Sequence, residues 1–110
     1  MRIVHFKQPS GKEPVREYIL SLTKSEAAKV TTALEDIEKN GLDGTVVILK
    51  PIEGKLWEIK LPVQRIFYVI ISGPTMVLLH AFKKEGQKTP QKEKKLAKQR
   101  MNLVLRGQHD

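Results

Sequence analysis

The residues of this chain best suited to chemistry are charged side chains set in or beside short apolar runs. Glu58 and Lys60 alternate with apolar residues in one run, Arg65 opens the next, and His80 lies in a third. Three lysines follow closely: Lys83, Lys84 and Lys88. Guanidinium and ammonium groups at this density can bind a phosphodiester and stabilise the added charge of its transition state. The pattern therefore indicates chemistry on a phosphodiester.

Among phosphodiesters, RNA needs the fewest protein groups for its cleavage. Its 2′-hydroxyl is the nucleophile, so an enzyme supplies a base, cations for the phosphate and a proton donor for the departing 5′-oxygen. The three histidines are far apart in sequence, the acids lack ligand spacing, and there is no cysteine. The sequence thus suggests no metal and no cofactor.

Positive charge is concentrated near the C-terminus. Residues 83–106 hold nine Lys or Arg against two acids, a net of +7 in a chain whose formal charge is +8. A helix opening near Pro90 would carry Lys92 and Lys95 together with Lys94 and Lys98. A patch of this kind attracts a polyanion, so Lys83, Lys88, Lys92 and Lys95 are candidate RNA-binding residues.

Each candidate also has a structural interpretation. Arg65 suits an ion pair with Glu58 or protection of a sheet edge. Glu58 could be a charge partner of Lys60 or Arg65. His80 could be a hydrogen-bonded structural residue beneath the C-terminal helix. The lysines of that helix suit a solvated face. Trp57 and Tyr68 could stack on bases, although core packing is the more common role.

Two helices are predicted near the N-terminus, after a strand at 3–6. Pro14 suits a first helical position, and apolar residues follow at helical spacing through Leu22. Thr23 to Glu26 matches a capping box, which opens a second helix that Asn40–Gly41 should end.

A small antiparallel sheet is predicted from the remaining apolar runs: 45–49, 56–61, 65–71 and 76–82. If 61–64 form the loop, Lys60 pairs with Arg65 and Glu58 with Phe67 on one face. The opposite face should support the helices with Trp57, Ile59, Ile66, Tyr68 and Ile70. The fold class is therefore α+β, a small antiparallel sheet packed on two N-terminal helices with a basic C-terminal helix.

Length and hydropathy set the remaining expectations. A chain of 110 residues predicts a single domain, 1–110, with a frayed tail at about 106–110. The N-terminus lacks a signal-peptide pattern, and no apolar run approaches the roughly 20 residues of a membrane span. We therefore expect a cytoplasmic protein with no membrane partner.

Several of these segments together resemble a known family, the phage-derived HigB-like branch of the RelE toxin superfamily. The matching segments are LWEIK at 56–60, RIFYV at 65–69, LLHAFKK at 78–84 and QKTP at 87–90, with an opening helix at 11–22. Glu93 and Ala97 also match the last helix. The resemblance spans nearly the whole chain, and its specificity lies in the order and spacing of the pieces.

The resemblance implies the RelE-like fold and a type II toxin that cleaves mRNA, usually on the translating ribosome. It also implies a cognate helix-turn-helix antitoxin of the HigA-like kind. By position, Arg65 would contact the scissile phosphate, Lys84 would stabilise transition-state charge, and Lys60 would occupy a position that is often basic. Lys83 and Lys88 would bind RNA.

The chain departs from some RelE relatives in its acid–base residues. No tyrosine follows Tyr68, and His109 lies in the predicted frayed tail. His80 and Glu58 are then the candidates for general acid and base. A site dominated by cations should depend on the ribosome to align the 2′-hydroxyl.

Two other functions fit the same residues. A non-catalytic toxin that inhibits a host target, as the ParE branch inhibits gyrase, needs only the basic helix. A general RNA-binding module predicts affinity that falls steeply with salt and survives Arg65→Ala. For a ribonuclease, we expect Arg65→Ala and Lys84→Ala to abolish cleavage with little loss of stability.

Overall fold

A computed structural model describes residues 1–107 as one five-stranded sheet with three helices. The elements are β1 (Arg2–His5), α1 (Pro14–Leu20), α2 (Lys24–Gly44), β2 (Ile48–Glu53), β3 (Leu56–Lys60), β4 (Gln64–Ile71), β5 (Thr75–Lys83) and α3 (Gln91–Gly107). The strand order is β1-β5-β4-β3-β2, parallel between β1 and β5 and antiparallel elsewhere. The predicted α+β class is confirmed.

The N-terminal helices begin where the sequence predicts. Pro14 is in the first turn of α1, where a missing amide hydrogen costs nothing. The backbone amide of Glu26 donates to Thr23 Oγ1 over 3.2 Å, and both halves of the capping box are present. Gly41 interrupts α2 with a φ of 76°, a left-handed conformation that favours glycine.

The predicted strand register is confirmed in the centre of the sheet. Lys60 pairs with Arg65 and Glu58 with Phe67, because the short 61–63 connection leaves little freedom. The predicted strand at 45–49 is wrong in its bounds, since β2 runs from Ile48 to Glu53 and includes Pro51. Proline is tolerated there because β2 is an edge strand, and the pairing is irregular between Pro51 and Glu53.

Helices cover both faces of the sheet, whereas the sequence analysis assigned helices only to the face opposite Glu58 and Arg65. On one face, α1 and α2 pack Val15, Val30 and Ile37 against sheet residues that include Ile59, Ile66 and Tyr68. On the other face, α3 packs Ala97 and Met101 against a second cluster: Phe6, Leu56, Phe67, Val69, Val77, Leu79 and Phe82. Glu58 and Arg65 are on the same face as Phe67, and this face is the one on which α3 packs.

A β-bulge in β5 sets which residues face α3. Phe67 pairs with His80 while Tyr68 pairs with Leu78, so Leu79 has no partner across the strand pair. One extra residue brings both Leu79 and His80 to the α3 side, as their contacts show. The bulge therefore turns a histidine toward the helix.

The C-terminal helix follows Pro90, whose carbonyl accepts the amide of Lys94 over 3.2 Å. It includes Arg106 and Gly107. The rest of the tail predicted to be frayed, 108–110 with His109, lies outside the described residues. Among residues 1–107, no helix combines the length and apolar character needed to cross a membrane.

Candidate functional site

Three of the predicted cations lie at one end of the sheet, where β3 and β5 end and β4 begins. Lys60 pairs with Arg65, and Lys83 pairs with Gln64 on the other side of β4. The backbone amide of Lys84 donates to the carbonyl of Val63 over 2.9 Å, which ties the 61–63 connection to the end of β5. Lys60 and Lys83 are exposed and Lys84 is half-buried. Their ammonium groups can therefore reach a ligand in solvent.

Beneath these lysines, Glu58 and Arg65 form a buried ion pair. Arg65 Nε and Glu58 Oε2 are 3.7 Å apart, and the two side chains are 6% and 3% exposed. Neither Glu58 Oε1 nor Arg65 Nε has a hydrogen-bond partner. Each charge compensates for the other in a place that water barely reaches.

Arg65 is also attached to the backbone that precedes it. Its Nη1 donates to the carbonyl of Leu61 and to that of Gln64, the latter over 3.0 Å. These bonds hold the connection between β3 and β4 in place. In this arrangement Arg65 supports the loop, and its guanidinium is turned away from solvent.

His80 is bonded through both ring nitrogens to α3. Its Nε2 lies 3.0 Å from Glu93 Oε1, and its Nδ1 lies 3.2 Å from Arg100 Nη1, which also donates to the carbonyl of Leu79. An arginine only donates, so Nδ1 accepts and the proton of the neutral ring is on Nε2. Burial lowers the pKa of His80 and so favours the neutral ring, although Glu93 acts in the opposite direction. His80 thus links β5 to α3.

The lysines of α3 divide into two groups. Lys94 and Lys98 contact the carboxylate of Glu53, with Lys94 Nζ 3.5 Å from Oε1, and these contacts lower the pKa of Glu53. Lys92 and Lys95 are exposed and make no ion pair within the described residues. Lys88 is exposed in the loop that leads to α3. Lys88, Lys92 and Lys95, which the sequence analysis assigned to RNA binding, are thus free of ion pairs within the described residues.

The structure therefore brings the predicted residues together in two layers. Lys60, Lys83 and Lys84 lie at the surface, and Glu58, Arg65 and His80 lie beneath. Lys92 and Lys95 are on α3, apart from the strand ends. Within residues 1–107, no group of three or more His, Asp or Glu side chains is arranged to hold a metal ion.

Comparison with protein families places the chain among known proteins. Residues 17–102 match the family model described as phage derived protein Gp49-like (DUF891). The chain belongs to this Gp49-like family. The family is part of the RelE/ParE-like superfamily of toxin–antitoxin toxins, which implies an antitoxin partner. A search of curated proteins finds no match.

The matched segment of this Gp49-like chain runs from within α1 to within α3. It includes all of the site residues predicted from the sequence, and it includes the buried ion pair and the His80 contacts. The residues that the sequence singled out are thus within the part of the chain that defines the family.

Several contacts of the site were missed by sequence reasoning. Glu93 is identified from the sequence only as a family match and Arg100 is not singled out, although their spacing of seven places both on one helix face. Gln64 was read as a turn residue, yet it is buried, accepts a hydrogen bond from Tyr18 and donates to Glu26 over 3.4 Å. No sequence pattern signals that contact, because it joins three separate elements.

Proposed function

We propose that this toxin-family protein is a metal-independent endoribonuclease that cleaves mRNA on the translating ribosome. In this proposal it belongs to the HigB-like branch and is neutralised in the cytoplasm by a helix-turn-helix antitoxin of the HigA-like kind. The reaction is attack of the RNA 2′-hydroxyl on the adjacent phosphate with loss of the 5′-oxygen. The superfamily membership and the cation cluster support it.

The observation that carries the proposal is the presence of three cations at one end of the sheet. Strand pairing and the hydrogen bond from Lys84 to Val63 bring Lys60, Lys83 and Lys84 to the ends of β3 and β5, on either side of β4. Their positive charge lies above a fixed loop, and preorganised charge stabilises a transition state without further reorganisation. This favours a phosphate ligand over a neutral one.

Within the proposed site, the surface cations take the direct roles. Lys60 and Lys84 contact the scissile phosphate and stabilise its developing charge. Lys83 and Lys88 bind the flanking RNA, and Lys92 and Lys95 extend the attractive field along α3. Arg65 holds the loop from below, and it reaches the phosphate directly only if its contact with Glu58 opens.

The proposed need for the ribosome follows from the burial of the two acid–base candidates. His80 has both ring nitrogens engaged, and Glu58 is 2% exposed beside Arg65. A site with surface cations and enclosed bases stabilises charge better than it removes a proton. The ribosome would then contribute by aligning the 2′-hydroxyl with the phosphate, since alignment supplies a large part of such a barrier.

The test is to map the 5′ ends of a defined mRNA after incubation with the protein, alone and on translating ribosomes. We expect new ends only with ribosomes, and their loss in Lys60→Ala and Lys84→Ala. Lys29→Ala is the matched control, because Lys29 is an exposed lysine on α2. Cuts that persist in both site variants would contradict the assignment of Lys60 and Lys84.

A second candidate function is a toxin that binds a host target without catalysis. The observation that favours it is the enclosure of Arg65, Glu58 and His80, which leaves only lysines at the surface. A ParE-like gyrase inhibitor or a general RNA-binding module would fit such a surface. Folded protein that produces no cuts with ribosomes but blocks gyrase supercoiling supports the first, and salt-sensitive RNA binding without cuts supports the second.

A further inference from the structure

Exposed apolar side chains are concentrated at the corner of the sheet formed by β2 and the end of α2. Val46 is 86% exposed and Ile48 is 60% exposed, and Leu42 and Trp57 are each more than a third exposed. Several exposed apolar residues in one region mark an interaction site more often than single exposed residues do. Trp57 was expected in the core, and the structure leaves its side chain at this surface instead.

Beside Trp57 lies an apolar groove of about 490 Å³. It is lined by Leu42, Asp43, Leu49, Trp57, Tyr68 and Ile70. Asp43 is its only charged residue, and burial raises the pKa of Tyr68 to about 12, so that hydroxyl remains neutral. The groove therefore suits apolar side chains.

The strand next to this groove has a free edge. β2 is the last strand in the sheet order, so one of its edges pairs with no strand among residues 1–107. Its apolar residues also point both ways. Leu49 lines the groove, whereas Ile48 pairs with Lys60 and shares the α3 face of the sheet. A helix lying on one face would cover only one of these sets, whereas an added strand covers both.

We propose that residues 46–50, the free edge at the start of β2 with the two residues before it, bind an extended segment of the antitoxin as a sixth strand. Alternate side chains of that segment lie over the groove beside Trp57 and over the α3 face beside Ile48. Main-chain hydrogen bonds to β2 supply affinity, and the alternating pockets supply specificity. Pro51 and the irregular pairing that follows it limit the added strand to the first part of β2.

The charges on each face define the chemistry of the bound segment. On the α3 face, Lys50 and Lys60 flank Ile48, and neither forms an ion pair within the described residues. Opposite these lysines the segment needs acidic side chains, and opposite the groove it needs apolar ones. The occupant is therefore a strand that alternates apolar and acidic residues. Its acids would also engage Lys60, which the proposed function assigns to the phosphate.

Other occupants fit this edge less well. In a symmetric pair of β2 strands, Lys50 and Lys60 of both copies would share one face of the joined sheet. The only acid within β2, Glu53, already contacts Lys94 and Lys98. RNA would gain nothing from the apolar groove or from Asp43. An antitoxin, which the toxin family implies, remains the occupant that matches both faces.

The test uses the cognate antitoxin that the toxin family implies. We expect amide hydrogen exchange at 46–50 to slow on binding. Ile48→Glu should weaken binding by about tenfold or more, because the new carboxylate meets acidic partner residues in a desolvated pair. Leu20→Glu is the matched control, since Leu20 is 74% exposed at the end of α1. The Leu20→Glu variant should bind the antitoxin as tightly as the unmodified chain does.

A second measurement does not depend on that antitoxin. A synthetic peptide that alternates valine and glutamate should slow exchange at 46–50, and one that alternates valine and lysine should not. Unchanged exchange in both experiments, equal binding by Ile48→Glu and Leu20→Glu, or a free protein that dimerises through β2 would each overturn the inference. The inference rests on membership of the toxin family and its readout is binding, so it survives if the ribonuclease proposal fails.

Discussion

Glu58 and Arg65 are directly coupled across β3 and β4, with Arg65 Nε 3.7 Å from Glu58 Oε2 and both side chains under a tenth exposed. Arg65→Ala would leave an uncompensated carboxylate in the interior. We expect it to lower the free energy of unfolding by about 3–5 kcal/mol, the range for breaking a buried pair. Because the pair is buried, this expectation replaces the sequence-based prediction that Arg65→Ala loses little stability. Urea unfolding measures the change.

The double variant Glu58→Gln with Arg65→Met separates the charge effect from packing. Replacing both partners leaves no isolated charge, so its loss of stability should be smaller than that of Arg65→Ala alone. Arg16→Ala is a surface control, because the Arg16 side chain is 66% exposed in its ion pair with Glu13. A double variant as unstable as the single one would show that the charge is not the cause.

Lys92 and Lys95 should contribute more to RNA binding than Lys94 and Lys98, whose ammonium groups already contact Glu53. If each free lysine meets one phosphate, the paired variant Lys92→Ala with Lys95→Ala should reduce the slope of log affinity against log salt. The expected reduction is about 1.4 for single-stranded RNA. Titrations at several salt concentrations measure it, with Lys94→Ala plus Lys98→Ala as the comparison. Equal slopes for the two paired variants would contradict the division of the α3 lysines into free and ion-paired groups.

The neutral His80 ring should make the folded state sensitive to acid. Burial lowers its pKa below the ordinary 6.5, so the unfolded chain takes up this proton at higher pH than the folded chain does. The stability it contributes is complete above that value and is lost as the pH falls through the folded pKa. His80→Gln should therefore lose less stability than the unmodified chain between about pH 7 and pH 5. Thermal unfolding across that range tests this.

The comparison for His80 must account for His5, whose pKa is also lowered by burial. His5 is present in both proteins, so its contribution cancels in the difference between their pH profiles. Parallel profiles would mean that burial does not hold the His80 ring neutral.

Tyr18→Phe should destabilise the fold without creating a cavity. It removes the hydrogen bond to Gln64 Oε1, and Gln64 is 3% exposed between α1, α2 and β4. An unsatisfied buried amide oxygen costs about 1–3 kcal/mol. Urea unfolding measures it, and the further change Gln64→Leu should recover part of the loss. A Tyr18→Phe protein as stable as the unmodified chain would mean that water replaces the phenol.

The sequence predicted the parts of the fold that follow from local rules. Alternation and a short connection gave the pairing of Lys60 with Arg65, and capping residues gave the start of α2. It did not predict that α3 packs on the face of the sheet that carries Glu58 and Arg65, because the side of a sheet that a later helix covers depends on long-range packing. It also did not predict the bulge at Leu79, since an uninterrupted apolar run looks the same with or without one.

The unpaired Leu79 also determines how the chain tolerates changes in length. Residues on either side of it alternate out of phase, so odd positions before it and even positions after it share a face. Deleting Leu79 would restore a single phase and leave His80 and Phe82 on the α3 face. Deleting or inserting a residue elsewhere in β5 would instead turn the residues on one side of the change to the opposite face. We therefore expect insertions and deletions to be accepted in the loop at 84–90 and rejected within β5 at positions other than Leu79.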